Sequence, residues 1–177
     1  MTANFKNDAA GATWWVVMGV SGCGKSSLGS AMAQEMGLPL IEGDDFHPPA
    51  NIEKMHNGIA LDDADRAGWL HALGIALAAH EQGAVLTCSA LKRAYRDTLR
   101  AAVPQLRFVF MEISPAQALA RVEQRKGSHF FSSSLVDSQF ATLQDPTGEA
   151  GVLPVPAAEP VTDLVRRVHA WRMSLAA

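Results

Sequence analysis

The sequence predicts an α/β domain in which a parallel β-sheet is covered by helices on both faces. Short apolar segments alternate about five times with longer segments of helical periodicity. The apolar segments are continuous rather than alternating, which is typical of strands buried on both faces of a parallel sheet. In sheets of this kind, binding sites lie at the carboxyl ends of the strands.

The five strands are predicted from these apolar runs. The first reads Trp-Trp-Val-Val-Met and ends directly at a glycine-rich segment, and Pro39 lies at the start of the second. The third and fourth runs are equally apolar, and a shorter run near the end of the chain predicts the fifth. We expect strands at residues 14–18, 38–42, 84–88, 106–113 and 152–155.

The helices are predicted from the residues that begin or end them. Gly37 ends the first, Asp62 or the aspartate after it caps the third, and Ser89 caps the fourth. Ser114 followed by Pro115 is a helix start, with proline at the first helical position. The expected helices cover residues 25–36, 51–57, 63–82, 90–102, 115–126, 134–143 and 161–174.

Composition limits the class of protein. Of the 177 residues, 48% are hydrophobic and 19% are charged, which predicts a single domain over residues 1–177 with a flexible leader at 1–13. The net charge of −3 argues against a nucleic-acid-binding protein. Two cysteines cannot form a disulfide framework, and no apolar segment approaches the roughly 20 residues of a membrane span. We therefore expect a cytoplasmic protein that binds neither nucleic acid nor membrane.

Residues 19–26 carry the strongest functional signal. They read Gly-Val-Ser-Gly-Cys-Gly-Lys-Ser, which fits G-x-x-x-x-G-K-[ST] between an apolar strand and a helix. Backbone N–H groups of such a loop face an anion, and the helix N-terminus adds its dipole. We therefore expect ATP, with Lys25 reaching the β- and γ-phosphates and the Ser26 hydroxyl ligating Mg²⁺. The expected nucleotide-binding residues of the loop are Gly19, Ser21, Gly22, Cys23, Gly24, Lys25, Ser26 and Ser27.

Cys23, inside this loop, has two interpretations. The surrounding backbone amides and Lys25 would favour its thiolate and so make it reactive. The other interpretation, which we favour, is that a small residue simply fits at this position.

The rest of the sequence limits the class of nucleotide-binding protein to which the chain can belong. No N-K-x-D motif follows the loop, which argues against a guanine-specific switch. No apolar strand ends in a clear Walker-B aspartate either. The nearest candidates for contacts to a metal or a hydroxyl are Asp44 and Asp45, which follow the second predicted strand.

Several further motifs resemble those of the gluconokinase family, and the resemblance runs from about Val16 to Pro146. In chain order they are Gly-Asp-Asp-Phe-His-Pro at 43–48, Asn-Ile-Glu-Lys-Met at 51–55, Leu-Asp-Asp-Ala-Asp-Arg at 61–66, Cys-Ser-Ala-Leu-Lys at 88–92, Arg-Lys-Gly-Ser-His-Phe-Phe at 125–131 and Ser-Gln at 138–139.

The resemblance implies a P-loop kinase fold like that of nucleoside monophosphate kinases. It also implies an enzyme that transfers the γ-phosphate of ATP to the 6-hydroxyl of D-gluconate, and a homodimer. His129 and Gln139 match family positions expected to contact the substrate, and residues 126–133 match a mobile lid. Ser128 is an extra residue relative to the Lys-Gly-His-Phe that the family pattern has in this lid.

The chemistry of gluconate sets independent requirements. Its carboxylate needs cations and its hydroxyls need hydrogen-bonding groups. We expect Arg66 to bind the carboxylate. Asp44 has two candidate roles: accepting the attacking hydroxyl's proton through a hydrogen bond, which we favour, or holding the Mg²⁺ shell through water. The candidate substrate contacts from this reasoning are Asp44, His47, Lys54, Arg66, Ser89, Lys92 and Arg96.

Arg121 and Arg125 lie one helical turn apart and face the same way. Similar kinases use such arginines at the base of the lid, one against adenine and one on the phosphates, so we expect Arg121 to bind nucleotide and Arg125 to act with Lys25 and Asp44 in catalysis. The alternative is an exposed helix face whose arginines pair with Glu112 or Glu123. A lid that closes over the site would exclude water from bound ATP.

Two rival functions stay open at this stage. A kinase for another small hydroxy acid, such as shikimate, would have the same fold, but a shikimate kinase would show Asp-x-Asp after the second strand, where this chain has Gly-Asp-x-x-His-Pro. A P-loop ATPase or nucleotide-binding regulator would respond to no sugar acid.

Overall fold

The computed structural model describes residues 12–124 and 133–175. They form one five-stranded sheet in the order β2-β3-β1-β4-β5, in which every neighbouring pair of strands is parallel. The predicted α/β class with a parallel sheet is therefore confirmed. The strands are β1 Thr13–Met18, β2 Leu40–Glu42, β3 Gly83–Thr87, β4 Arg107–Glu112 and β5 Val152–Pro156.

Helices connect the strands, and a short 3₁₀ turn, Gly43–Phe46, directly follows β2. None of the helices in the described part of the chain is long and apolar enough to cross a membrane. The helices are α1 Lys25–Met36, α2 Pro49–His56, α3 Asp63–Ala78, α4 Arg93–Ala102, α5 Pro115–Gln124, α6 Ser133–Thr142 and α7 Val161–Leu175.

Each face of the sheet has its own apolar core, as the continuous apolar strands predict. Along β1, Trp15 and Val17 belong to the core that includes residues of α1 and α7, whereas Val16 and Met18 belong to the core that includes residues of α3 and α4. All four side chains are fully buried. The alternation follows from the two-residue period of a strand, and the glycine-rich loop directly follows this buried central strand.

The predicted start of the fourth helix is wrong. Ser89 does not cap it, because the chain first makes a turn in which Ala90 has φ 45°, and α4 begins only at Arg93 after Lys92. A residue in the left-handed region interrupts right-handed helical geometry. The extra loop of residues 88–92 lies at the carboxyl end of β3.

The third helix is capped as predicted but ends earlier than expected. Asp62 accepts a hydrogen bond from the Asp65 backbone N–H, and the Asp65 side chain accepts one from the Asp62 N–H, which is a capping box. The helix ends at Ala78 rather than near residue 82 because the chain must turn into β3. Gly83 has φ 102° there, and a Cβ would lie 1.9 Å from the Thr13 carbonyl oxygen.

Candidate active site

The glycine-rich loop lies between the end of β1 and the start of α1, as its motif predicts. Gly22 and Gly24 both have left-handed φ angles, and a Cβ on Gly22 would lie 2.8 Å from the Ala118 carbonyl oxygen. The Lys25 Nζ donates to the carbonyl oxygens of Gly19 and Val20, each at 3.1 Å. The loop is therefore closed on itself, with the lysine held beside the concave surface where an anion would bind.

Cys23 is fully buried, and its side chain belongs to the apolar core that includes α1 and α7. Its Sγ packs close to Gly19, where a Cβ would lie 2.8 Å from the sulfur. The structure thus favours the interpretation that a small residue fits here, rather than that of a reactive thiol. The other cysteine, Cys88, is also buried, and burial raises the pKa of its thiol to about 12.

Glu42, at the end of β2, is a site residue that the sequence analysis missed. Its Oε2 accepts hydrogen bonds from the Ser26 hydroxyl at 3.1 Å and from the Thr87 hydroxyl at 2.5 Å. A carboxylate therefore stands beside the P-loop serine after all, contributed by the edge strand. Hydroxyl and carboxylate oxygens are ligands suited to Mg²⁺, so this pair fits the metal that the motif implies.

A cleft opens beside this loop and brings together five of the nine predicted substrate contacts with two residues of the P-loop. Its walls come from the P-loop, the 3₁₀ turn after β2, α2 and α3 with the segment between them, the loop after β3, and α6. The lining residues are Ser21, Lys25, Asp44, His47, Met55, Ala60, Leu61, Arg66, Trp69, Ser89, Leu135, Ser138 and Gln139.

His47 is held firmly in the wall of this cleft. Its ring stacks on the Trp69 indole at 4.2 Å between centroids, and the Trp69 Nε1 donates to the Gly43 carbonyl oxygen at 2.7 Å. The Asn51 Nδ2 lies 3.4 Å from His47 Nδ1, and His47 Nε2 lies 3.9 Å from a carboxylate oxygen of Asp44. Trp69 is buried in the core and also shapes the site.

Charge and exposure differ sharply between His47 and Asp44. Burial lowers the pKa of His47, with Asp44 opposing the shift and Arg66 adding to it, so the imidazole is neutral near pH 7. The Asp44 side chain is 83% exposed and reaches into the open cleft. A carboxylate placed this way can accept a hydrogen bond from a hydroxyl that enters the cleft.

Arg66 is, together with Lys25, one of the two cations that line the cleft among the described residues. It is only 7% exposed, its Nε donates to the Leu61 carbonyl oxygen at 3.3 Å, and its guanidinium lies 5.5 Å from the centre of the Tyr95 ring. No carboxylate is paired with it among residues 12–124 and 133–175. It can therefore receive an anionic group from outside the protein.

Lys92 was predicted to contact the substrate, but the structure places its charge elsewhere. Its Nζ donates to both carboxylate oxygens of Asp63, at 2.8 and 3.0 Å, and it does not line the cleft. The Tyr95 hydroxyl donates to the same carboxylate. These bonds lower the pKa of Asp63, while burial and Asp63 raise the pKa of Tyr95 to about 12.

Lys54 is likewise neutralised by an aspartate. Its Nζ lies 2.7 Å from each carboxylate oxygen of Asp65, which joins α2 to the start of α3. The hydrogen bond from Lys54 lowers the pKa of Asp65. Lys54 therefore braces α2 against the start of α3, and it is not among the residues that line the cleft.

Arg96 does not belong to the cleft, and its predicted role as a substrate-binding cation is wrong. The side chain is fully buried and makes an ion pair with Glu149. Its remaining donors are used by the carbonyl oxygens of Ala90, Leu91 and Gln144. A guanidinium with all its donors occupied inside the protein cannot bind the carboxylate of a ligand.

Gln139 and Ser89 connect the substrate side of the cleft to the P-loop. The Gln139 Oε1 accepts from the Ser21 backbone N–H at 2.6 Å, and the Ser89 carbonyl oxygen accepts from the Gly19 N–H at 3.3 Å. Ser27 is exposed at the start of α1. The loop and the substrate side are therefore in direct contact.

Arg121 reaches the P-loop from α5. Its guanidinium donates to the carbonyl oxygens of Gly22 and Cys23, at 3.4 and 3.3 Å, and to that of Ala157 at 3.0 Å. Within the described residues, Arg121 makes no ion pair with Glu112 or Glu123, which was the alternative. Arg125, His129 and residues 126–132 of the predicted lid lie outside the described residues.

Comparison with known proteins places the chain among kinases. A family model described as an AAA domain matches residues 15–147. The gluconokinase of Gluconobacter oxydans is 46% identical over 145 residues, covering 79% of this chain and 80% of that protein. The thermoresistant gluconokinase of Escherichia coli is 41% identical over 155 residues, covering 85% and 88% respectively.

Solved structures agree with these relatives. The crystal structure of a gluconokinase from Sinorhizobium meliloti superposes with a TM-score of 0.85 at 48% identity, covering 93% of each chain. The shikimate kinase of Aquifex aeolicus has a TM-score of 0.64 at 16% identity, covering 93% of this chain and 98% of that one. At that identity the second similarity shows the fold alone.

The parallel sheet, the P-loop and the adjoining cleft define a P-loop kinase. The family match over residues 15–147 places it in the AAA domain family of P-loop proteins. The chain belongs, more narrowly, to the gluconokinase family, since curated members share more than a third of its residues over most of both chains.

Proposed function

We propose that this protein is an ATP-dependent gluconokinase that converts D-gluconate and ATP into 6-phospho-D-gluconate and ADP. The observation that carries the proposal is that Lys25 of the P-loop and Arg66 line the same cleft. One end of the cleft thus suits a triphosphate, and the other offers a cation without a carboxylate partner among the described residues. A linear sugar acid has its carboxylate and its terminal hydroxyl at opposite ends, which matches this arrangement.

The nucleotide end fits ATP and Mg²⁺. The P-loop backbone forms the phosphate cradle, Lys25 would contact the β- and γ-phosphates, and Arg121 contacts the loop from outside. The Ser26 hydroxyl and the Glu42 carboxylate are the oxygen groups that would hold the metal, Glu42 directly or through water. Mg²⁺ bound here would neutralise charge on the phosphate oxygens. Arg125 remains a predicted contributor to the same task.

At the substrate end, Arg66 would bind the carboxylate of gluconate. The hydroxyls of the chain can bond polar side chains that line the same cleft, namely His47, Ser89, Ser138 and Gln139. His129 remains a predicted contact. This division would leave the 6-hydroxyl as the group nearest the γ-phosphate.

Asp44 is the group we assign to the attacking hydroxyl. The 6-oxygen forms a bond to the γ-phosphorus, the bond to the β–γ bridging oxygen breaks, and ADP leaves. The hydroxyl proton passes to the Asp44 carboxylate or to water beside it. Because phosphoryl transfer has a loose transition state, holding the hydroxyl in line contributes more than removing its proton early.

The proposal is tested by measuring ADP release and product phosphate with a panel of acceptors. We expect rapid release with D-gluconate, slower release with its epimers and one phosphate in the product for each ADP. Equal release with no acceptor would show an ATPase instead. Release with shikimate but not gluconate would establish the rival kinase. The same preparation, studied by sedimentation, would test the proposed homodimer.

A further inference from the structure

The loop after β3 delivers a cleft residue through a strained turn. It runs from Cys88 to Lys92, places Ser89 in the cleft wall and turns at Ala90, whose φ of 45° lies in the left-handed region. For a residue with a Cβ, the left-handed region is populated about tenfold less than the right-handed one. Something else in the protein must therefore hold Ala90 in this conformation.

Arg96 contacts this turn through two of its carbonyl oxygens. Its Nη1 donates to the carbonyl oxygens of Ala90 and Leu91 at 2.9 and 3.1 Å. Its Nη2 donates to the Gln144 carbonyl oxygen and to Glu149, and its Nε donates to the second oxygen of Glu149 at 3.1 Å. These five bonds match the five N–H donors of a guanidinium, and the side chain is fully buried.

Gln144 completes the same clamp from the segment after α6. Its backbone N–H donates to the Leu91 carbonyl oxygen at 2.8 Å, and its side-chain oxygen accepts from the Arg93 N–H at 2.8 Å. Arg96 thus ties the turn to the segment that follows α6, and α6 itself carries cleft residues. The loop after β3 and the segment after α6 are therefore both bonded to the Arg96 guanidinium.

The turn also supports the phosphate cradle. The Ser89 carbonyl oxygen accepts from the N–H of Gly19, the first residue of the P-loop. A shift of Ala90 toward ordinary backbone angles would displace Ser89. Both its side chain, which lines the cleft, and its carbonyl oxygen, which accepts from the P-loop, would move. The expected consequence is misplacement of the two reacting ends relative to each other.

We propose that Arg96, locked by Glu149, is a positioning residue for phosphoryl transfer: it holds Ala90 in the left-handed conformation and thereby holds Ser89 between the sugar acid and the P-loop. The proposal rests on the kinase function proposed above. It gives Arg96 a role through the backbone, without contact to either substrate.

Arg100 provides a matched control. It lies one turn further along α4 and donates to the same Glu149 carboxylate at 3.0 Å, but no hydrogen bond joins it to Ala90 or Leu91. The variants Arg96→Lys and Arg100→Lys therefore make the same chemical change beside the same carboxylate. We expect kcat with gluconate to fall about tenfold or more in Arg96→Lys and to stay within about twofold in Arg100→Lys.

A second substitution separates positioning from general support of the fold. Glycine adopts the left-handed region without penalty, so Ala90→Gly in the Arg96→Lys protein should restore kcat to within about threefold of the Ala90→Gly single variant. The proposal is overturned if the two lysine variants have equal kcat, or if the glycine restores nothing. Should Arg96→Lys fail to fold, Glu149→Gln with and without Ala90→Gly replaces it, with a smaller loss and the same rescue expected.

Hydrogen exchange tests, without any substrate, whether Arg96 holds the turn at Ala90. Peptides covering residues 88–93 and the Gly19 amide should exchange faster in Arg96→Lys than in the wild type, and Arg100→Lys should match the wild type. Unchanged exchange would refute the clamp. If the wild-type protein left gluconate unphosphorylated while exchange behaved as expected, the proposed function would fail and the clamp on the turn would stand.

Discussion

The two ends of the cleft are built in different ways. The proposed phosphate end is one continuous segment, residues 19–26, and its proposed binding groups are backbone N–H groups and a single lysine. The acid end collects side chains from separate segments: the turn after β2, the helices α2 and α3, and the loop after β3. The first is a property of local sequence, whereas the second exists only once the sheet has assembled.

The treatment of charge differs in the same way. At the acid end, Lys54 and Lys92 are each paired with an aspartate, and Arg66 keeps a guanidinium directed to the cleft. Pairing the outer cations leaves one position at which a carboxylate can be bound strongly. In the proposed function, selectivity at the acid end would depend on cations that are occupied as well as on one that is available.

The largest effect should come from the phosphate end. Lys25→Met removes the charge that would contact the β- and γ-phosphates, and we expect kcat to fall by at least about a hundredfold. Among the described residues the side chain bonds only loop carbonyls, so the fold should persist. Steady-state assays of ADP release, together with the thermal unfolding midpoint, test this. Turnover close to that of the wild type would remove Lys25 from the mechanism.

The acid end should respond through KM instead. Arg66→Met keeps much of the buried volume and removes the cation, so we expect KM for gluconate to rise about tenfold to a hundredfold, with KM for ATP changed little. Kinetics with each substrate varied in turn make the measurement.

Arg93→Met is the matched control for Arg66. Arg93 is an exposed arginine on α4 whose only ion-pair partner among the described residues is Asp97, at 3.7 Å. Its loss should leave both KM values within about twofold of the wild type. An unchanged KM for gluconate in Arg66→Met would show that the carboxylate is bound elsewhere and would break the comparison between the two ends.

A smaller effect is expected from the wall that holds the acid end in place. Trp69→Phe keeps an aromatic ring against His47 but leaves the Gly43 carbonyl oxygen without its 2.7 Å hydrogen bond. Losing a buried hydrogen bond costs about 1–3 kcal/mol in the free energy of unfolding. Because Asp44 follows Gly43, KM for gluconate should also rise a few fold.

Trp171→Phe separates these two effects. Trp171 packs edge-on against Trp15 at 5.8 Å, in the core on the other face of the sheet. Denaturant unfolding should show a loss of stability in both variants, and only Trp69→Phe should change KM. A normal KM in Trp69→Phe would mean that the tryptophan supports the fold alone.

The same contrast explains how far the sequence could be interpreted. The P-loop was identified because its residues are contiguous, and the parallel sheet because each strand is a continuous apolar run. Glu42 was missed because it ends a short edge strand, and its contacts arise only when β2 pairs with β3 at Thr87 and α1 brings Ser26 beside them. Such a contact leaves no local pattern.

Arg96 shows the same limit for a residue that was noticed but misassigned. Its positive charge suggested substrate binding, yet its partner Glu149 lies 53 positions away. Nothing near Arg96 in the sequence indicates that carboxylate. The turn at Ala90, which delays the start of α4, could not be predicted either. Alanine is a strong helix former, and its left-handed angle depends on contacts made elsewhere.

The smallest predicted effect concerns the pH dependence of stability at the acid end. Burial holds the pKa of His47 below the usual 6.5, so below about pH 6.5 the unfolded chain binds a proton there that the folded protein does not. The free energy of unfolding therefore falls as the pH decreases from about 7.5 to 5.5. Urea unfolding at both values should show a smaller fall in His47→Gln than in the wild type.

This window separates His47 from the carboxylates that brace the same region. Asp65 and Glu149 have lowered pKa values, so their contributions are present above the usual carboxylate pKa values of 3.8 and 4.5 and are lost only as the pH falls below that range. Other histidines contribute equally to both proteins and cancel in the difference. An equal fall in wild type and His47→Gln would show that His47 takes up its proton as easily in the folded wall as in water. The acid end would then be an open surface, and its contrast with the phosphate end would rest on Arg66 alone.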